Sequence, residues 1–215
     1  MYRNYAIKSS KGVFYTSQKE KDTLHTVEIQ TQEHGTRYHH EVNTVGGVLT
    51  GAKIEESPFG GKQVKLFLED GEDINVVQMN IFDGEAIESW VKELCKFLPN
   101  FDLGEKYFFS LNRKKTYEGK GGKTHLWRNM YVNVNEERGE KNSLKWAEEL
   151  KDKPAPEERT ARDGSVKKDY TKQDDFYWAL LQREVDRLAY QADNAGKPQE
   201  AAVEAPAENY DSLPF

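Results

Sequence analysis

KQVKLFLE, residues 62–69, alternates apolar and polar side chains along its whole length. Successive side chains of a β-strand point to opposite faces, so this alternation predicts a strand with one buried face and one exposed face. Leu66 and Leu68 fall on the predicted core face, whereas Lys65 and Phe67 fall on the opposite one. An aromatic ring on the polar face of a strand needs a partner, either a stacked ligand or a covering segment of the chain.

Four further segments have the composition of β-strands. A fifth segment, which lies between the second and the third of these, has the composition of a helix. The strand segments cover residues 42–54, 74–82, 106–112 and 126–135, and the first contains the pair Gly46-Gly47, which predicts a bulge or a bend. From about residue 84, capped by Asp83, apolar residues recur at helical spacing up to Pro99. Three strands, a helix and two strands, in this order, are typical of the mainly β, five-stranded OB-type barrel. An α+β sheet with the same element order is the alternative.

Four regions of different composition follow from this pattern. Residues 1–36 are polar with short aromatic islands, and they predict an N-terminal arm or short strands. Residues 37–136 form the expected OB domain. Residues 137–193 are expected as a helical extension with a charged linker. Residues 194–215, rich in Ala, Glu and Pro, predict a disordered acidic tail.

The extension contains one strong helical signal. Residues 143–150 predict a short helix, and the Pro-rich, charged residues 152–168 predict a linker or loop. Thr171 can cap a longer helix that runs to about residue 193. Packing of its apolar stripe on the barrel is favoured over a dimer contact; the stripe consists of Tyr177, Leu180, Leu181, Val185 and Leu188.

Composition limits the class of protein. The chain has a formal net charge of −6 and only one cysteine, Cys95, which excludes an intramolecular disulfide and favours a reducing compartment. No apolar stretch of about 18 residues is present, and no apolar run follows a basic N-terminus. These features predict a cytoplasmic protein without a membrane contact.

Charge is segregated along the chain. Residues 106–128 contain seven basic side chains and one acid, interleaved with aromatic residues. Lysine and arginine follow phosphates while flat rings stack on unpaired bases, so this mixture favours binding of single-stranded nucleic acid. The candidate binding residues are Phe59, Lys62, Lys65, Phe67, Arg113, Lys114, Lys115, Tyr117, Lys120, Lys123, Trp127, Arg128 and Tyr131.

The C-terminus combines an acid with an apolar ending. From residue 193 onward there are five acids and one base, and the chain then ends in Leu213-Pro214-Phe215. Phe215 offers a hydrophobic anchor, Pro214 restricts the backbone, and the terminal carboxylate can meet Arg or Lys. Asp211, Leu213, Pro214 and Phe215 are therefore the predicted partner-binding residues of the tail.

This ending resembles the tail of bacterial single-stranded-DNA-binding proteins, which close with acidic residues and Ile-Pro-Phe. The whole plan resembles bacteriophage single-stranded-DNA-binding proteins, with an OB domain followed by helical and acidic extensions. The resemblance implies protection of single-stranded DNA in replication, recombination and repair. It also implies recruitment of a polymerase, helicase or nuclease through the tail. Leu213 in place of Ile, and Asp211 as the one acid near the end, depart from the bacterial pattern.

Other classes of function have weaker support. Neighbouring histidines on a strand point to opposite faces, so no metal site is expected, and no motif indicates a cofactor or an enzyme. An adaptor that binds other proteins through its sheet and long helix is the alternative function. A nuclease or annealing enzyme is a third hypothesis. The oligomeric state, a homo-oligomer included, is left open.

Deletion of residues 209–215 should leave the folded domain intact, because the segment has too little apolar surface to join a core. Capture of a polymerase or nuclease partner should be lost, whereas binding to single-stranded DNA should tighten modestly at low salt, since a tethered acidic competitor is removed. Pull-down and oligonucleotide titration of the full-length, truncated and Phe215→Ala proteins test this. Phe215→Ala should lose the partner but keep the competition. Unfolding of the truncated protein, or unchanged partner capture, would contradict the prediction.

Overall fold

The computed structural model describes residues 1–9, 11–58, 60–118, 124–136, 142–161 and 163–195, and of residues 113–118 and 124–128 it describes the backbone alone. Short 3-10 helices cover Leu98–Asn100 and Glu148–Asp152. The strands and α-helices are β1 Tyr2–Lys8, β2 Val13–Gln18, β3 Val27–Thr31, β4 Gly35–Val42, β5 Thr44–Glu56, β6 Lys62–Asp70, β7 Asp73–Asn80, β8 Phe82–Asp83, β9 Ala86–Ile87, α1 Ser89–Cys95, β10 Lys106–Glu118, β11 Thr124–Val134, β12 Glu157–Thr160, β13 Val166–Asp169 and α2 Thr171–Asn194.

Nine of these strands form one mixed sheet. Its order is β11-β10-β5-β6-β7-β1-β2-β4-β3. Neighbours are antiparallel except β1 and β7, which pair in parallel from Tyr2 opposite Ile74 to Ala6 opposite Gln78. Residues 1–36, expected as an arm or short strands, contribute β1, β2, β3 and the start of β4, and they add Tyr5 and Phe14 to the core.

The predicted OB barrel is wrong, although the protein is mainly β. The five expected strands are present as β5, β6, β7, β10 and β11, with α1 between β7 and β10. A closed five-stranded barrel leaves no strand edge, so its two outermost strands, β7 and β11, must pair with each other. Here β1 occupies the edge of β7 instead, and the sheet continues to β3. The result is an open sheet with β11 and β3 at its two ends.

Two glycines let β5 lie close to the strands on both sides. A Cβ on Gly46 would overlap the Phe108 ring of β10. Gly47 has a φ of 153°, and a Cβ there would lie 2.7 Å from the Glu69 carbonyl oxygen of β6. The register shift itself lies further along β5, between Leu49 and Gly51. The glycine pair thus permits close approach, whereas the irregularity predicted for it occurs after it.

The shorter helical predictions need correction. α1 begins at Ser89 rather than near Gly84, because the small β8–β9 hairpin turns at Gly84 with a φ of 65°. Glu88, not Asp83, caps this helix by accepting a hydrogen bond from the Trp90 backbone N–H. Residues 143–150 do not form the predicted short helix as a whole, and the 3-10 helix Glu148–Asp152 overlaps only their last three residues. The expected linker at 152–168 contains the hairpin of β12 and β13.

The long C-terminal helix is confirmed as α2. Its predicted apolar stripe is buried in one core with the sheet, which fits packing on the chain's own domain. Arg187 ties the helix to the preceding segment, since its Nη2 donates to the Phe101 carbonyl oxygen at 2.8 Å. Lys92 of α1 pairs with Asp174 of α2 at 2.5 Å. No helix within the described residues is long and apolar enough to cross a membrane.

Leu188→Ala should destabilise the protein by about 2–5 kcal/mol, because the fully buried side chain leaves a cavity between α2 and the sheet. Tyr190→Ala, two residues further along and 71% exposed, is the control and should change the free energy of unfolding by less than about 0.5 kcal/mol. Urea unfolding followed by circular dichroism measures both. Equal effects of the two substitutions would mean that α2 does not pack as described.

Candidate nucleic-acid interface

The nine-stranded sheet presents one side-chain face to the core and another, the outer face, away from it. On β6 the boundary is clear, because Leu66 and Leu68 are 0% exposed while Lys65 and Phe67 between them are only partly buried. The pairing register aligns outer-face residues of neighbouring strands into rows, and opposite residues in a row have their Cβ atoms about 4.5–5.5 Å apart.

One row crosses the middle of the outer face. It runs over five adjacent strands, β5, β6, β7, β1 and β2, and consists of Lys53, Lys65, Gln78, Ala6 and Tyr15. Because the side chain of Ala6 is small, the surface of the row is recessed between Gln78 and Tyr15. Two cations, an amide and an aromatic ring therefore lie in line across the strands.

Phe67 lies beside this row. The Lys53 Nζ lies 5.6 Å from the centroid of the Phe67 ring, within the range of a cation–π contact. A Cβ on Gly51 would be 3.9 Å from Phe67 Cδ2 and 4.0 Å from Ala192 Cβ, so the last turn of α2 lies near this ring. Phe67 is thus partly covered by α2 and partly open to solvent.

A second aromatic pair lies on β10 and β11. Tyr131 is 42% exposed, which is a large fraction for a tyrosine in a strand. Phe108 lies diagonally across from it, since Phe108 pairs with Asn133 and Ser110 with Tyr131. The Lys106 Nζ lies 5.3 Å from the centroid of the Phe108 ring. This pair repeats the combination of ring and lysine that Phe67 and Lys53 make.

Glu55 holds both lysines of the central row. Its carboxylate contacts Lys53 Nζ at 2.5 Å and Lys65 Nζ at 2.6 Å, and it accepts a hydrogen bond from Gln63 Nε2 at 3.0 Å. Hydrogen bonds from Lys53 and then Lys65 lower the pKa of Glu55 to about 2. The carboxylate therefore stays ionised at neutral pH, where it competes with any phosphate for the two cations.

Tyr15 has a fixed orientation at the far end of the row. Its ring stacks on His39 at a centroid distance of 4.6 Å and an interplanar angle of 24°. Burial raises the pKa of Tyr15, so its hydroxyl keeps its proton. Burial also lowers the pKa of His39, so the stacked ring is uncharged at neutral pH. The pair offers a neutral aromatic surface rather than a charge.

The basic hairpin extends β10 and β11 beyond their predicted ends. Its backbone pairs Arg113 with Arg128 and Lys114 with Trp127. For the candidate residues in this segment, the structure gives only the positions of the backbone. These residues are Arg113, Lys114, Lys115, Tyr117, Trp127 and Arg128. The hairpin continues from the part of the sheet that carries Tyr131, so its basic sequence adjoins the outer face.

The remaining candidates separate into two groups. Lys62 shares the alternation of Val64 and Leu66, and its Nζ lies 5.4 Å from the Trp178 ring of α2, so it does not belong to the outer face. Outside the described residues lie Phe59, Lys120, Lys123, Asp211, Leu213, Pro214 and Phe215. Lys65, Phe67 and Tyr131 are the predicted residues that the outer face brings onto one surface.

Sequence reasoning missed four residues of this face. They are Tyr15, Lys53, Lys106 and Phe108, which the register of the sheet places beside the predicted ones. For Phe108 the sequence did contain a signal. Phe108 alternates with Tyr107 and Phe109, which are both buried, so it must lie on the opposite face of the strand. No sequence signal identified Lys53, because the face of the sheet on which it lies depends on the register shift in β5.

His25 and Cys95 are both buried in the folded chain. His25 Nδ1 lies 2.5 Å from Asp22 Oδ1 and its Nε2 lies 2.9 Å from Thr16 Oγ1, which fixes the connection between β2 and β3. Burial raises the pKa of Cys95 to about 12, so this thiol is a poor nucleophile. Within the described ranges, no three His, Cys, Asp or Glu side chains come together as a metal site.

Glu55→Gln should strengthen binding of a single-stranded oligonucleotide several-fold at low salt. The amide keeps the hydrogen bond from Gln63 but releases Lys53 and Lys65, so the slope of log affinity against log salt should steepen by about 0.7 for each phosphate newly neutralised. Titration of a fluorescent oligonucleotide at several salt concentrations measures both effects. Glu56→Gln, which removes the same charge one residue further on, is the control. Equal gains in the two variants would show a general charge effect instead.

Comparison with known proteins leaves the function to be argued from this geometry. No protein-family model, no curated protein and no solved structure matches the chain. The resemblance to single-stranded-DNA-binding proteins therefore depends on the quoted tail and on the distribution of charge and aromatic residues.

Proposed function

We propose that this protein is a sequence-tolerant single-stranded-DNA-binding protein that coats and protects DNA in replication, recombination and repair, in the cytoplasm of a phage-infected bacterial cell. The observation that carries the proposal is the outer face, where Phe67, Phe108 and Tyr131 accompany Lys53, Lys65 and Lys106 on the side of the sheet opposite the core. No catalytic or cofactor role is proposed.

The chemistry of this face suits an unpaired strand. Every base has a flat π-surface, so aromatic stacking contributes about 1–3 kcal/mol per base with little dependence on sequence. Lysines beside the rings can neutralise the phosphates between stacked bases. A duplex keeps its bases stacked on each other and offers no ring face to Tyr131 or Phe67. Binding to single strands should therefore exceed binding to duplex.

Charge segregation supports binding despite the acidic total. The hairpin that continues β10 and β11 is basic, whereas the acids of the tail are remote from it in the sequence. A local positive region is sufficient to attract a polyanion when the net charge is negative. The tail, ending in Leu213-Pro214-Phe215, is proposed to recruit a polymerase, helicase or nuclease.

Tyr131→Ala should weaken binding of single-stranded oligonucleotides of every base composition by about 5- to 150-fold, as expected for the loss of one stacked base. The salt dependence should stay unchanged, because no cation is removed. Fluorescence anisotropy with labelled oligonucleotides and a matching duplex measures this. Tyr190→Ala, at a 71% exposed tyrosine of α2, is the control and should bind like the unsubstituted protein.

Three results would contradict the proposal or one of its parts. Equal affinity for single strands and duplex would remove stacking as the basis of recognition. A folded protein that binds no DNA but captures other proteins would support the adaptor hypothesis instead. A Tyr131→Ala protein with full affinity would exclude this ring from the interface.

A further inference from the structure

A small cavity opens where β1 and β7 separate. Their parallel pairing ends at Ala6 opposite Gln78, and beyond it β7 continues while Ile81 donates its backbone N–H to the Lys62 carbonyl oxygen at 2.9 Å. The gap between the diverging strands has a volume of about 150 Å³. A cavity of about this size accepts a single benzene-sized ring.

Polar side chains without protein partners line this cavity. Among the described residues, the side chains of Gln78 and Asn80 make no hydrogen bond, although both reach its wall. Trp90, only 1% exposed, also lines the cavity, and its indole Nε1 has no hydrogen-bond partner among the described residues. This Nε1 has no surface exposed to the cavity, so the polar groups open to a ligand are the side-chain amides of Gln78 and Asn80.

The other walls suit a flat heterocycle. Tyr15, held by its stack on His39, contributes an aromatic edge and a hydroxyl that keeps its proton. Met79 and Ile7 contribute apolar surface. Glu88 is also on the wall, but its carboxylate accepts the Trp90 backbone N–H at 2.5 Å as a helix cap. Amide groups beside an apolar slot match a base, which has donors and acceptors on its edge and apolar faces.

The cavity adjoins the proposed DNA path. Gln78 lies directly opposite Lys65 in the central row, and Gln63, opposite Asn80, is bonded to the same Glu55 as Lys65. A phosphate at Lys65 would place its nucleotide beside the opening of the cavity.

We propose that this cavity binds one unstacked pyrimidine base of the bound strand through hydrogen bonds from the side-chain amides of Gln78 and Asn80. This inference rests on the proposed function and adds a preference at one nucleotide position to an otherwise sequence-tolerant interface. A volume of about 150 Å³ matches a single six-membered ring more closely than the fused rings of a purine.

The test compares oligo-dT and oligo-dC with oligo-dA of the same length. The unsubstituted protein should prefer the pyrimidine strands by about 5- to 150-fold, the discrimination expected of one good bidentate contact. Gln78→Leu keeps a strand-compatible side chain of similar size and should abolish the preference, so that the pyrimidine strands and oligo-dA bind the variant with equal affinity. Gln30→Leu, on β3 away from the cavity, is the matched control and should keep the preference.

The outcomes separate this inference from the proposed function. If all strands bind equally, or if Gln78→Leu keeps the pyrimidine preference, the cavity holds only water and the inference is wrong, while DNA binding stands. If neither the unsubstituted protein nor the variants bind any strand, the proposed function fails and the inference with it. Circular dichroism and urea unfolding confirm that Gln78→Leu folds, and Asn80→Ala, at an exposed position, provides a second variant with the same expected loss of preference.

Discussion

Burial of the apolar side of β6 determines the orientation of the side chains around it. Leu66 and Leu68 are fully enclosed in one core with Leu181 and Leu188 of α2. A slip of one residue in the register would expose these leucines and bury Lys65, at a cost of several kcal/mol for the charge alone. The outer face is therefore a consequence of the core, and its rows of lysines and rings are as well determined as the packing beneath them.

Sequence periodicity is sufficient to predict the central strands and α2, because each has its own amphipathic pattern. Whether the sheet closes into a barrel does not follow from the pattern of any single strand. It depends on whether β1 or β11 occupies the open edge of β7, and an edge presents backbone N–H and C=O groups that any strand can pair with. The polar residues 1–36 gave little sign that Tyr5 and Phe14 would enter the core, so the competing strand could not be foreseen.

The residues of the candidate site, like the strands, could be predicted only in part. Lys65, Phe67 and Tyr131 follow from simple alternation within their own strands. Lys53 does not, because counting from Val45 and Leu49 assigns it to the core face. The register shift between Leu49 and Gly51 reverses this assignment and brings Lys53 opposite Lys65. Such a bulge inserts one residue without a clear signature in the sequence, yet it changes the face of every residue that follows.

If the outer face binds DNA as proposed, Glu55 would regulate its affinity for phosphate. The carboxylate shares one oxygen between Lys65 and Gln63, and it also pairs with Lys53. A phosphate that takes Lys65 from Glu55 leaves that oxygen with only the Gln63 amide, which lines the cavity between β1 and β7. In the proposed complex, neutralisation of the DNA backbone and contact with a base would thus draw on one hydrogen-bond network, and members of such a network polarise one another. In this proposed binding mode, stray anions would meet lysines that are already paired with Glu55, whereas a strand that also offers a base to the cavity would gain contacts that a lone phosphate cannot make.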